Sequence, residues 1–99
     1  MAKVWTHGVW ITKPGQEDAF VHAWSRLARD ATAGLRGDPP TLLRDREKPN
    51  VFRTFGAWPD IEAIEEFRGS DLFRGAVAEL GPLIESFEAL TLDEIDWTI

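Results

Sequence analysis

Residues 3–13, KVWTHGVWITK, constrain the fold more than any other stretch of this chain. β-Branched and aromatic residues recur there with a two-residue alternation, the pattern of an extended strand. Trp5, Val9 and Ile11 fall on one side and Val4 and Trp10 on the other, so neither side is polar. A strand with one solvated face carries a clean polar set, and this one is therefore expected to be covered on both faces. The chain has 99 residues, enough for one domain over residues 1–99 and for one core. A chain that short buries only about 60–65% of the surface its unfolded form exposes, so burial against a partner would add useful stability. A second copy of the chain is the economical cover for the second face.

The rest of the chain supplies the remaining elements in order. Pro14-Gly15 ends the first strand, and Gln16-Glu17-Asp18 place acidic groups where a helix N-terminus favours them. Phe20, Trp24, Leu27 and Ala31 then recur at helical spacing, with Asp18, His22, Arg26 and Arg29 largely opposite, which predicts an amphipathic helix of about five turns. Gly34, Gly37 and Pro39-Pro40 end it. TLLRDRE at 41–47 and VFRTFGAW at 51–58, separated by Lys48-Pro49-Asn50, read as an antiparallel hairpin. Asp60 can cap a second helix whose stripe is Ile61, Ile64 and Phe67, and Ser70 can cap its restart after Gly69. Gly81-Pro82 breaks the helical run, and SFEALTLDEIDW at 86–97 reads as a last strand. The order β-α-β-β-α-β is the ferredoxin-like α+β arrangement, with helices on one face of a four-stranded antiparallel sheet. The other face is expected to be apolar and to form an interface, giving a homodimer.

Composition narrows the chemistry. The absence of cysteine excludes disulfides, thiolate metal sites and cysteine nucleophiles. With no charged-then-apolar leader and no apolar run near ~18 residues, a cytoplasmic location without membrane association is expected. Residues 1–59 carry nine Lys/Arg and six Asp/Glu, whereas residues 60–99 carry two and eleven, so the halves hold +3 and −9. An acidic C-terminal half repels phosphate backbones, and nucleic acid is not an expected partner. The carboxylates Glu62, Glu65, Glu66 and Asp93, Glu94, Asp96 have no histidine near them and read as solvated surface rather than metal ligands. No nucleotide-binding loop or G-x-S-x-G motif occurs.

Several features together resemble one family. The KPG at 13–15 before an acidic helix carrying Phe20 and Trp24, the hairpin ending FRTFGAWPD, the broken helix DIEAIEEFRGSDLF and the closing FEALTLDEID look like the antibiotic biosynthesis monooxygenase domain of the dimeric α/β-barrel superfamily. The likeness runs from about residue 4 to 96. It implies a dimeric barrel and, as activity, a cofactor-independent monooxygenase acting on an aromatic or polyketide-like small molecule in a pocket between sheet and helices. The same superfamily implies two alternatives: a non-catalytic dimeric module that binds a hydrophobic small molecule, and a decarboxylase or isomerase. Haem-degrading members carry an asparagine in the first strand, a tryptophan at the end of the third and a histidine in the second helical region. Only the tryptophan, Trp58, has a counterpart here, and residues 60–80 contain no His, Met, Cys or Tyr to hold iron, which disfavours haem degradation. Tyr is absent altogether and the single Asn is Asn50, so the tyrosine-and-asparagine mechanism of some monooxygenase members does not carry over.

The candidate site follows from these parts. By the resemblance, Trp58 lines the cavity. His7 stands mid-strand beside Gly8, where a neutral imidazole facing the cavity could act as a general base. Five Trp and six Phe in so short a chain suit a planar hydrophobic ligand, and Trp5, Phe52, Phe55, Phe67 and Phe73 are the candidate substrate contacts. No bound cofactor or metal is expected. Whether His7 or Thr6 enters the cavity depends on the parity of the first strand, which the sequence leaves open.

Overall fold

The two-sided strand lies inside a four-stranded antiparallel sheet. The computed structural model describes residues 3–34 and 38–97; Gly37, expected to help end the first helix, lies outside them. Its elements are β1 (Val4–Thr12), α1 (Glu17–Gly34), β2 (Thr41–Arg44), β3 (Val51–Trp58), α2 (Ile61–Arg68), α3 (Asp71–Leu80), a 3-10 turn over Gly81–Leu83, and β4 (Ile84–Asp93). The sheet order is β2-β3-β1-β4, so β1 is flanked on both sides, by β3 and β4. This is the expected ferredoxin-like arrangement, with the second helical region divided into α2 and α3. No described helix is long and apolar enough to cross a membrane.

Register decides which side chains meet. Trp10 pairs with Phe52 on β3 and with Phe87 on β4, and these three rings turn toward the helices. Phe20 of α1 packs on the first two, 5.4 Å from the Trp10 ring and 4.9 Å from Phe52, while Phe87 stays partly exposed. Trp24, Ala76 and Leu80 complete this buried cluster from α1 and α3. Phe20 and Phe52 are the largest rings fully withdrawn from water, at 0% and 2% exposure. Because side chains alternate along a strand, Val4, Thr6, Gly8, Trp10 and Thr12 share the helix face, and Trp5, His7, Val9 and Ile11 share the other.

The connections follow local chemistry. Gly15 takes a positive φ of 82°, a conformation that residues with a Cβ rarely adopt, so the chain turns into α1 there. Asp60 accepts the Ala63 amide at 2.9 Å, and Ser70 accepts the Phe73 amide at 3.2 Å. These two caps start α2 and α3 where the sequence placed them. An ion pair between Arg26 and Glu79 ties α1 to α3.

Two strands differ in length from expectation. β2 stops at Arg44 instead of running to 47, because the Asp45 carboxylate accepts the amides of Glu47 and Lys48, each at 2.8 Å, and curls the chain into the hairpin turn. β4 begins two residues early, directly from the 3-10 turn, and stops at Asp93 because its partner β1 begins at Val4. Beyond it the Glu94 amide still bonds the Lys3 carbonyl at 2.9 Å, while Trp97 lies outside the strand and is 73% exposed.

Phe52→Ala is expected to lower unfolding free energy by about 3–5 kcal/mol, measured by denaturant titration, since the cavity it leaves lies between Phe20 and Trp10. Loss of the Asp60 cap in Asp60→Ala is expected to cost about 1 kcal/mol. The amides of Lys48 and then Glu47 hold the Asp45 carboxyl below the usual carboxylate range. Its contribution to stability is then fully present above the unfolded pKa of about 3.9 and is lost as pH falls through the lower folded value. A carboxyl-detected NMR titration is expected to show Asp45 titrating below about 3.9; titration at or above that value contradicts the hairpin geometry.

Candidate functional site

The two central strands carry the same five-residue pattern. Thr6-His7-Gly8-Val9-Trp10 on β1 and Thr54-Phe55-Gly56-Ala57-Trp58 on β3 both read T-x-G-x-W. Antiparallel pairing sets Thr6 opposite Gly56 and Gly8 opposite Thr54. Each indole leans back over the glycine two residues before it and reaches the threonine of the other strand. Trp10 Nε1 donates to Thr54 Oγ1 at 3.1 Å, and Trp58 Nε1 donates to Thr6 Oγ1 at 3.1 Å. A Cβ on Gly8 would stand 2.6 Å from Thr54 Oγ1 and 2.7 Å from Trp10 Nε1; one on Gly56 would stand 3.2 Å from Thr6 Oγ1. Glycine at these positions makes the diagonal pairs possible.

The pairs fix what the hydroxyls can do. Each threonine oxygen already accepts an indole N–H, so its proton remains to be donated elsewhere. Thr6 has only a long contact of 3.5 Å to the Gly56 carbonyl on its donating side. Both hydroxyls border a cavity of about 180 Å³ between the sheet and the helices. Trp24, Leu27 and Ala28 of α1 and Ile64 of α2 form apolar walls, and Phe87 and Ala89 close the side toward β4. Phe67 stands 5.4 Å from the Trp58 ring and meets Phe73 edge-on at 5.3 Å. Among the described residues two charged ones also border it, Asp38 and Arg68. Asp38 accepts from Lys3 Nζ at 2.6 Å, and that bond with its attendant charge raises the Lys3 pKa.

Of the residues singled out in the sequence, Trp58, Phe67 and Phe73 meet at this cavity. Phe52 instead lies in the core under Phe20, with the Arg44 guanidinium 4.8 Å from its ring centroid. Trp5 points to the opposite face and bonds the Glu94 carboxylate at 2.8 Å. His7 requires a correction as a base acting beside Trp58. Val4 is the β1 partner of Trp58, so odd-numbered β1 residues face away from that indole. His7 and Phe55 border the cavity through their strands, while their rings stack on the far face at 4.4 Å and 13°. Thr6, rather than His7, enters the cavity, and Phe55 leaves the set of ring contacts with it. The sequence reading left Thr6 as the alternative to His7 and missed Thr54 and Trp10, and the repeated T-x-G-x-W is the signal that marks all three. Among the described residues no group of three or more His, Cys, Asp or Glu is placed to hold a metal ion.

Gly8→Ala is expected to destabilise the fold by about 1–3 kcal/mol, as overpacking does, and to alter the tryptophan emission spectrum. Gly56→Ala, with its looser contacts, is expected to cost less; equal costs for the two variants contradict the role of the glycines in the tryptophan–threonine pairs.

The architecture has known counterparts. A Caulobacter crescentus protein provisionally named an antibiotic biosynthesis monooxygenase superposes with a TM-score of 0.89 at 18% identity, covering 96% of this chain and 92% of its own. SnoaB, a cofactor-independent oxygenase from Streptomyces nogalater, superposes in its N63A form with a TM-score of 0.83 at 20% identity, over 91% and 90% of the two chains. A Shewanella oneidensis protein gives 0.85 at 20% identity, over 94% and 91%. At these identities the likeness establishes the fold. No curated protein shows significant similarity to the sequence. The sequence model of the antibiotic biosynthesis monooxygenase family matches residues 7–79, from mid-β1 nearly to the end of α3. With well over half of its residues matched, and with that family's fold throughout, the chain belongs to the antibiotic biosynthesis monooxygenase family.

Proposed function

We propose that the cavity above the two tryptophan–threonine pairs binds an aromatic or polyketide-like small molecule and serves a cofactor-independent monooxygenase reaction. The observation that carries this reading is the pair of threonine hydroxyls, each with its acceptor side engaged by an indole, set in an otherwise aromatic and apolar enclosure. A hydroxyl so polarised favours an anionic oxygen, and low local polarity strengthens the bond. A phenol or enol held there ionises more readily, and its electron-rich carbon can attack dioxygen directly. The carbon–oxygen bond forms with electrons from the substrate alone; the resulting hydroperoxide loses water to leave a quinone or ketone. The protein contributes orientation and electrostatics. SnoaB, of the same fold, is a cofactor-independent oxygenase and supports the assignment of this chemistry.

With the His7 ring turned from the cavity, the proton of the substrate leaves to water rather than to an imidazole. Oxygen uptake with a compact quinol or 1-naphthol substrate is expected to follow the ionisation of that substrate and to keep the same pH profile in His7→Gln. Thr54→Val and Thr6→Val are each expected to lower kcat by about 100-fold, the usual scale for removing one such donor. Wild-type rates in both variants contradict the reading. Binding without oxygen uptake points to the non-catalytic module, and anaerobic release of carbon dioxide to a decarboxylase.

We also infer that a second copy covers the face that bears His7. Trp5, Val9, Ile11 and Phe55 lie there with Leu90 and Leu92, which remain 38% and 42% exposed. His7 Nε2 is buried without a hydrogen-bond partner on the same face. The face is largely apolar, with Arg53 and Glu88 flanking Val9, and an exposed apolar surface of this kind is ordinarily an interface. Sedimentation is expected to give a dimer at micromolar concentration, and Leu90→Glu, beside His7 on β4, a monomer; a wild-type monomer overturns the inference.

A further inference from the structure

The cavity is small and its charge is one-sided. Among the described residues, Asp38 and Arg68 are the two charged ones that border it, and the His7 ring lies on the other face. Asp38 is neutralised by Lys3 at 2.6 Å. Arg68, the last residue of α2, is exposed and makes no ion pair among the described residues. Among the described residues the rim therefore presents one uncompensated guanidinium, a planar fork suited to two oxygens of a carboxylate. The space behind it, about 180 Å³, falls below the ~300–1,000 Å³ of pockets for larger ligands. An apolar cavity of about 150 Å³ takes a benzene ring.

We propose that the cavity selects a compact aromatic hydroxy acid of one or two rings, its anionic substituent held by Arg68 and its ring oxygen by Thr6 and Thr54. The ring system lies against Trp58 and Phe67, and Arg68 sets specificity without taking part in bond making. This rests on the reading of the cavity as the ligand site, and it narrows the ligand from polycyclic to compact.

Three probes test it by quenching of tryptophan fluorescence under anaerobic conditions: 1-hydroxy-2-naphthoate, 1-naphthol and a tetracyclic hydroxynaphthacenone carboxylate. The naphthoate is expected to bind about three- to fivefold more tightly than naphthol, the scale of one exposed ion pair. That preference is expected to vanish in Arg68→Gln, to return in part in Arg68→Lys, and to shrink with added salt. Thermal unfolding of Arg68→Gln is expected to match wild type, since the side chain is exposed. A preference that survives Arg68→Gln overturns the role of Arg68. Equal or tighter binding of the tetracyclic probe overturns the size limit, and absence of saturable naphthoate binding overturns the whole proposal. Because binding is read without oxygen, a salt-sensitive naphthoate preference with no turnover would count against the monooxygenase reaction alone.

Discussion

The antiparallel register between β1 and β3 is the constraint on which the rest of this molecule depends. It sets each glycine of one strand opposite a threonine of the other, and only in that register can each indole lie over its own glycine and reach across. Slipping by one residue would send every side chain of β1 to the opposite face. The same pairing turns Trp10 into the core against Phe20 and Phe52, so the forces that hold the sheet against the helices also hold the floor of the cavity. Stability and site geometry are thus one set of contacts.

Site polarity follows from this arrangement. Indole N–H groups buried without partners would cost free energy, and bonding them to threonine satisfies them inside the protein. The hydroxyls are then left as donors facing an apolar space walled by Trp24, Ile64 and Phe67. Its ionisable neighbours stand at the border, where Lys3 already balances Asp38.

Much of the fold was legible because periodicity and punctuation agreed. The alternation in residues 4–12, the Phe20–Trp24 stripe and the Asp60 and Ser70 caps each reappear in the structure where local chemistry put them. Strand ends were less legible, since Asp45 could curl the hairpin early only through backbone bonds that depend on the turn itself. Among the site candidates, Trp58 and Phe67 border the cavity, whereas the face that His7 takes was open in the sequence. Both sides of β1 are apolar, so composition holds no information about which side meets the helices. The parity was nonetheless encoded, in the second copy of T-x-G-x-W on β3, because two glycines flanked by matching Thr and Trp make sense only when they face the same space.

The most direct measurement is a crystal structure with 1-hydroxy-2-naphthoate bound. The ligand is expected between the sheet and α2, with a ring oxygen about 2.6–3.0 Å from Thr6 or Thr54 Oγ1 and the indoles of Trp10 and Trp58 still bonded to those threonines. A ligand seated instead on the His7 and Phe55 face, or one whose binding breaks the tryptophan–threonine pairs, would contradict it.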